Sequence, residues 1–323
     1  MLSSQFIMSL LSNKTITSLT FLLTGIPGLE VFHTWISVPF CFLYAIAISG
    51  NSMILFIIIT NQSLHEPMYY LLSMLSATDM YLSLSTLPTT LGVLCLNIQE
   101  IGWNACLSQM FFIHSLTIME SSVLLAMAFD RYIAICNPLR YVNILTPTRI
   151  IQIGLMIVAR GILFMIPLFM LLKQLSFYRD NILSHSHCYH SDMIKCSCSN
   201  IRVNSIYGLL GVLSTFGLDA PLIGVSYVLI IHSVLSIASP EERYKAFSTC
   251  ISHIIVVAIF YIPLIGLSVV HRWGKKAPPF VHTTMSDAFL LLPPEVNPVI
   301  DSVRTKQIHK AIIKVFLKKC YRN

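Results

Sequence analysis

Seven long runs almost free of charge divide this chain, and short polar segments separate them. Ile36–Thr60 carries no charged residue. Met68–Val93 carries only Asp79, Ser108–Phe129 only Glu120, Ile150–Leu172 only Arg160 and Val203–Ser236 only Asp219. Ala246–Val270 carries none, with His253 as its single imidazole. Pro279–Val299 is the weakest run, with Asp287, Glu295 and several prolines, yet neighbouring helices can satisfy the backbone groups that proline frees. Each run reaches the about 20 residues a helix needs to cross a hydrocarbon core. The pattern predicts an all-α membrane protein, a seven-transmembrane helix bundle over 36–301, preceded by an N-terminal segment 1–35 and followed by a tail 302–323. Within the tail, Val303–Cys320 reads as a short amphipathic helix. Ile308, Ile312, Val315 and Phe316 share one face, and lysines recur at 306, 310, 314 and 318. That is an interfacial helix on anionic membrane lipid, where Cys320 is either lipidated or a free thiol.

Composition supports this reading. Hydrophobic residues make up 55% of the 323 positions and charged residues 11%, against about 25% charged in ordinary soluble domains. The net charge of +7 does not point to nucleic acid, because no basic face is interleaved with aromatic residues. Residues 1–12 lack a basic start and a small-residue cleavage site, so the first span is expected to serve as signal anchor.

Lysine and arginine placement sets the topology. The segments near 61–67, 130–149 and 237–245 and the tail hold twelve of these residues, and the alternate segments hold eight. The excess predicts a cytoplasmic C-terminus. Asn13-Lys14-Thr15 is a glycosylation sequon, which agrees with an extracellular N-terminus and a plasma-membrane location.

The motifs narrow the function. Met127-Ala128-Phe129-Asp130-Arg131-Tyr132-Ile133-Ala134-Ile135-Cys136 ends the third run. Gly50-Asn51, Pro67-Met68-Tyr69-Tyr70, Ser226-Tyr227, Lys245-Ala246-Phe247-Ser248-Thr249-Cys250, Pro293-Pro294 and Asn297-Pro298 follow the same order and spacing as a known family. The chain resembles the odorant (olfactory) receptors, within the rhodopsin-like G-protein-coupled receptors. Leu23-Thr24-Gly25-Ile26-Pro27-Gly28, Arg160-Gly161 and Asp219 resemble the class I, "fish-like" branch, family 51 in particular. The resemblance implies a receptor for a small odorant, hydrophilic or a carboxylic acid, that activates a stimulatory heterotrimeric G protein of the olfactory type. A receptor for a circulating small metabolite is the alternative. A small-molecule transporter would call for internal repeats and broken helices, and no enzyme motif is visible.

Ionisable residues inside a membrane are functional candidates. Asp79 and Glu120 cannot both stay charged cheaply at close quarters, so they share a proton or hold a cation. The resemblance implies a sodium or water site there, and a hydrogen-bonded polar core is the other reading. It further implies an activation switch at Asp130 and Arg131, with Tyr227, His253 and Tyr261, and a disulfide between Cys106 and Cys188. For the ligand it points to His114, Ser268 and Arg272. A guanidinium donates two parallel hydrogen bonds to a carboxylate, each contributing about 1.5–3 kcal/mol, against about 0.8 kcal/mol per buried methylene. Arg272 as a surface residue flanking the span is the plainer alternative.

Several positions depart from the pattern. Cys198 looks like half of a second bridge that is lost, Tyr178 standing where relatives carry its partner cysteine, or replaced by a pairing with Cys196. Asp301 stands where relatives end Asn-Pro-x-x-Tyr. His185, His187 and His190 read as a polar face of the outer loop rather than a metal site.

Overall fold

The computed structural model describes residues 20–177, 181–273, 278–304 and 306–320. Seven long helices run through it: α1 His33–Thr60, α2 Pro67–Leu96, α3 Trp103–Cys136, α4 Pro147–Lys173, α5 Arg202–Leu235, α6 Pro240–Trp273 and α7 Pro279–Arg304. α8, Lys306–Cys320, is the tail helix and packs back on α1 and α7. α1 packs on α2 and α7, and α6 on α5 and α7. α3 is central, touching α2, α4, α5 and α6, which is why it is mostly buried while α4 and α5 show most of their surface to lipid.

Among the described residues, α1, α3, α4, α5 and α6 are long and apolar enough to cross a membrane by composition. α2 and α7 are more polar because their inward faces carry Thr86, Thr90 and Asp79, and Thr283, Ser286 and Asn297, all buried against neighbouring helices. Such helices cross by hiding their polar groups from lipid.

The helices outrun the apolar stretches. α3 spans 34 residues where Ser108–Phe129 is apolar, and α6 begins at Pro240 rather than Ala246, leaving only 236–239 between it and α5. Hydrocarbon sets the length of the apolar stretch, but helical hydrogen bonds continue into the interface. The tail helix starts three residues later than the pattern predicts. A small sheet is also present, which the all-α expectation omits. β1 (Thr20–Leu23) pairs antiparallel with β2 (Glu100–Gly102) and parallel with β3 (Ile182–Leu183), tying the N-terminal segment to the loops after α2 and α4.

Candidate functional site

Near the end that carries this sheet, α3, α4, α5, α6 and α7 part around a cavity of about 390 Å³. His114, Thr117, Thr215, Phe216 and Ser268 line it, and Tyr189, His190 and Ser191 of the loop after α4 roof it. The volume falls in the about 300–1,000 Å³ range of small-molecule sites. His114 bonds through Nδ1 to the Met110 carbonyl at 3.0 Å, and Ser268 donates to the Leu264 carbonyl at 2.9 Å. Two of the three predicted ligand residues, His114 and Ser268, therefore face one cavity. The Arg272 side chain lies outside the described residues, as do Asn13, Tyr178 and the side chain of Cys320.

A covalent tether holds the roof. Cys106, at the start of α3, is disulfide-bonded to Cys188, with their Cα atoms 5.4 Å apart. Gln109 accepts from the Cys188 N–H at 2.9 Å and donates to the Ser85 carbonyl and to Thr89 Oγ1, both at 2.8 Å. Cys196 and Cys198 are free thiols and do not pair with each other.

The loop histidines correct the sequence reading. His185, His187 and His190 are all buried rather than forming a polar outer face. The loop folds inward: His187 bonds Ser286 at 3.1 Å, Thr283 donates to the Ser184 carbonyl at 2.8 Å, and His185 bonds Asp192, which also receives Lys195 at 2.9 Å. Burial, with His185 adding repulsion, holds His187 down to about 3, and burial with His114 nearby holds His190 to about 3. His185 and Lys195 hold the Asp192 carboxyl well below the usual range, outweighing the opposing effect of burial. The roof thus presents one neutral imidazole, that of His190, to the cavity at neutral pH. His190 fits because Gly208 faces it, where a Cβ would lie 3.0 Å from the ring.

Below the cavity runs a polar network that sequence reasoning split apart. Arg160 of α4 pairs with Asp219 of α5 at 3.0 Å and donates to Ser122 at 2.9 Å. Ser121 donates to the same Asp219 at 2.7 Å and lies 2.9 Å from the Tyr261 hydroxyl. Tyr261 belongs to this group and stands about two helical turns, roughly 12 Å, from His253. The missed signal was the pairing of one arginine and one aspartate in adjacent, otherwise uncharged runs.

At the other end, Asp130 pairs with Arg131 at 3.3 Å and accepts from the Tyr141 hydroxyl at 2.8 Å. Tyr227 and His253 bond each other directly across α5 and α6. Between the two levels, Asp79 accepts from Asn297 at 2.9 Å. Asp79 Oδ1, Glu120 Oε1, Asn51 Oδ1 and Asn297 Oδ1 are buried with no partner. These all-oxygen groups suit a hard cation in donor chemistry. Among the described residues, no group of three or more His, Cys, Asp or Glu is placed to hold a metal ion. Asp301 is half-buried near the C-terminal end of α7.

Comparison with known proteins agrees with this geometry. The family model described as "Olfactory receptor" matches residues 40–319. Human olfactory receptor 51F1 is 59% identical over 99% of this chain and 100% of its own length. Human olfactory receptor 51F2 is 60% identical, over 98% and 93% respectively. Mouse olfactory receptor 51E2 is 49% identical over 96% and 97%. Squid rhodopsin shares the fold, with a TM-score of 0.73 at 18% identity over 90% of this chain and 87% of that one. A cavity roofed by a disulfide-held loop, in a seven-helix bundle of this ancestry, places the chain in the olfactory receptor family of rhodopsin-like G-protein-coupled receptors.

Proposed function

We propose that this chain is an odorant receptor that admits a small hydrophilic molecule, a carboxylic acid foremost, from the extracellular side and activates a stimulatory G protein of the olfactory type. The observation that carries the reading is the roofed cavity in which His114 and Ser268 converge. Ser268 supplies a hydroxyl beside the ligand, and Arg272 follows it by four residues in α6, one helical turn further on. A guanidinium there fixes the acid head, and the apolar wall formed by Leu264, Val212 and Phe216 selects the tail. The cationic excess and the sequon favour an extracellular N-terminus, a plasma-membrane location and a cytoplasmic Arg131.

Signalling is a shift between two arrangements of one bundle. The ligand moves the equilibrium only by its difference in affinity for them. Tyr261 couples the cavity floor to α6, and the Tyr227–His253 bond joins the inner ends of α5 and α6. Parting those ends frees Arg131 from Asp130 to meet the partner's docking helix. A sodium ion held by Asp79 and Glu120 would neutralise the paired carboxylates and favour the resting arrangement.

The test is cAMP production in cells expressing the receptor and a stimulatory G protein, over a panel of straight-chain acids. Loss of both charge-assisted bonds in Arg272→Ala, about 3–6 kcal/mol at about 1.5–3 kcal/mol each, should raise the half-maximal concentration by roughly 150-fold or more at equal surface expression. An unchanged dose–response in both Arg272→Ala and Ser268→Ala overturns the assignment.

A further inference from the structure

A second and larger hollow, of about 770 Å³, lies outside the bundle's interior, where α2, α3 and α4 meet. Tyr81 and Leu84 of α2, Phe112 of α3 and Ile162 of α4 form its rim, and all four are exposed. They sit on the lipid-facing surface of spanning helices, so entry is from the bilayer and not from water. Phe111, Leu116 and Met119 add apolar wall.

Besides Ser85, Thr89 and Gln109, two further polar groups interrupt that wall. Ser115 is only 2% exposed and its hydroxyl has no hydrogen-bond partner. Pro88, also on the wall, has no N–H to give the carbonyl of Leu84, four residues back in α2. An unmet hydroxyl buried in hydrocarbon is costly, and a serine in a helix ordinarily bonds the carbonyl one turn back, as Thr117 does here at 2.8 Å to Ile113. Close helix contact closes the floor: a Cβ on Gly161 would lie 2.9 Å from the Ser115 carbonyl and 2.8 Å from Met119.

We propose that this groove is a second ligand site, open to the membrane, for a lipophilic alcohol of odorant size. Lipid access demands a molecule that dissolves in hydrocarbon. The unpartnered Ser115 hydroxyl demands one hydroxyl function, which accepts from Ser115 and donates to the Leu84 carbonyl, whose usual bond from position 88 is missing. Depth selects against a membrane sterol. Ser115 lies seven residues into the apolar stretch of α3 that begins at Ser108, about 10 Å at about 1.5 Å per residue, well inside a core about 30 Å thick. A sterol keeps its hydroxyl at the interface, whereas a small alcohol can embed fully.

The site has a route to the outer cavity. Gln109 lines the groove and bonds Ser85 and Thr89 on one side and the Cys188 N–H on the other. Tyr189 and His190, next along the loop, roof the cavity. An occupant that displaces α2 from α3 therefore acts on the tether of the roof.

The experiment is photolabelling of the purified full-length receptor in lipid nanodiscs. The probes are a ten-carbon diazirine alcohol and the matching diazirine alkane, with labelled residues mapped by mass spectrometry. Labelling by the alcohol should concentrate on 81–89 and 105–119. It should fall at least threefold in Ser115→Ala and in Leu84→Trp, which fills the groove from its exposed rim. The alkane should be insensitive to Ser115→Ala, and excess decanol should compete. Labelling spread evenly over lipid-facing helices, confined to the outer cavity, unchanged in both variants, or displaced by a sterol but not by decanol overturns the proposal. Because the outer cavity is a separate arm of the mapping, the acid-receptor reading stands or falls independently.

Discussion

Replacing Asp219 by leucine strands the Arg160 guanidinium in the middle of the bundle. In the native arrangement Arg160 Nη1 lies 3.1 and 3.0 Å from the two carboxylate oxygens of Asp219, and only Ser122 and the Ser214 carbonyl at 3.4 Å remain once the carboxylate is gone. Asp219 is 3% exposed and Arg160 34%, so the carboxylate end of the pair is the more deeply buried one. Removing one partner of a buried pair costs about 3–5 kcal/mol, and a lone arginine at the centre of a spanning helix about 2.5–3.5 kcal/mol. The ranges overlap near 3 kcal/mol, and the surviving serine contacts favour the low end. Arg160→Met exposes the opposite charge and should cost about as much. The double variant removes both charges and should lose only about 1 kcal/mol, far below the sum of the two. Equilibrium unfolding in mixed micelles, with surface expression in parallel, measures all four corners of the cycle. Single effects that simply add, or an Asp219→Leu cost under about 1 kcal/mol, would refute the reasoning.

Three further outcomes follow from the geometry. Cys188→Ser removes the tether of the roof and should cost about 2–5 kcal/mol, read as a lower melting temperature and weaker ligand potency; equal potency at equal expression would contradict it. His187 and His190 bind protons more weakly when folded than at their ordinary value of 6.5, so between about pH 6.5 and 3 the unfolded chain holds more protons and stability falls with pH. Melting should therefore drop from pH 7 to pH 5, less so in His187→Asn, whereas a rise on acidification would reverse the sign. Asp130→Asn weakens the 3.3 Å contact with Arg131; at about 1 kcal/mol, roughly fivefold in the equilibrium, basal cAMP should rise severalfold, and an unchanged baseline argues against that lock.

Hydrophobic runs revealed the seven helices because lipid imposes a length and an apolarity that no soluble core demands. They could not reveal helix ends: the hydrogen-bond ladder of α3 continues past Phe129 to Cys136 and that of α6 starts at Pro240, in water where apolarity carries no signal. Cys106 and Cys188 were legible from the family pattern, as was the contact of Asp130 with Arg131. The burial of His185 and His187 was not, because a polar loop looks alike in sequence whether it bonds water or the side chains of Ser286 and Asp192. Tyr261 was grouped with Tyr227 and His253 by family role, while its hydroxyl meets Ser121 across the bundle, a long-range contact with no local signature. The groove at Ser115 was invisible for the same reason, since an unpartnered serine reads like any other.

The central claim is that a molecule in the outer cavity acts on Arg131 at the far end of the bundle. The direct measurement is cAMP in cells carrying the receptor and a stimulatory G protein, titrated with straight-chain acids, for the native chain and Arg131→Ala at matched surface levels. A saturable rise that Arg131→Ala removes while ligand binding persists is the predicted result. A rise that survives Arg131→Ala, or a native receptor at the surface that stays silent to every acid it binds, would contradict it.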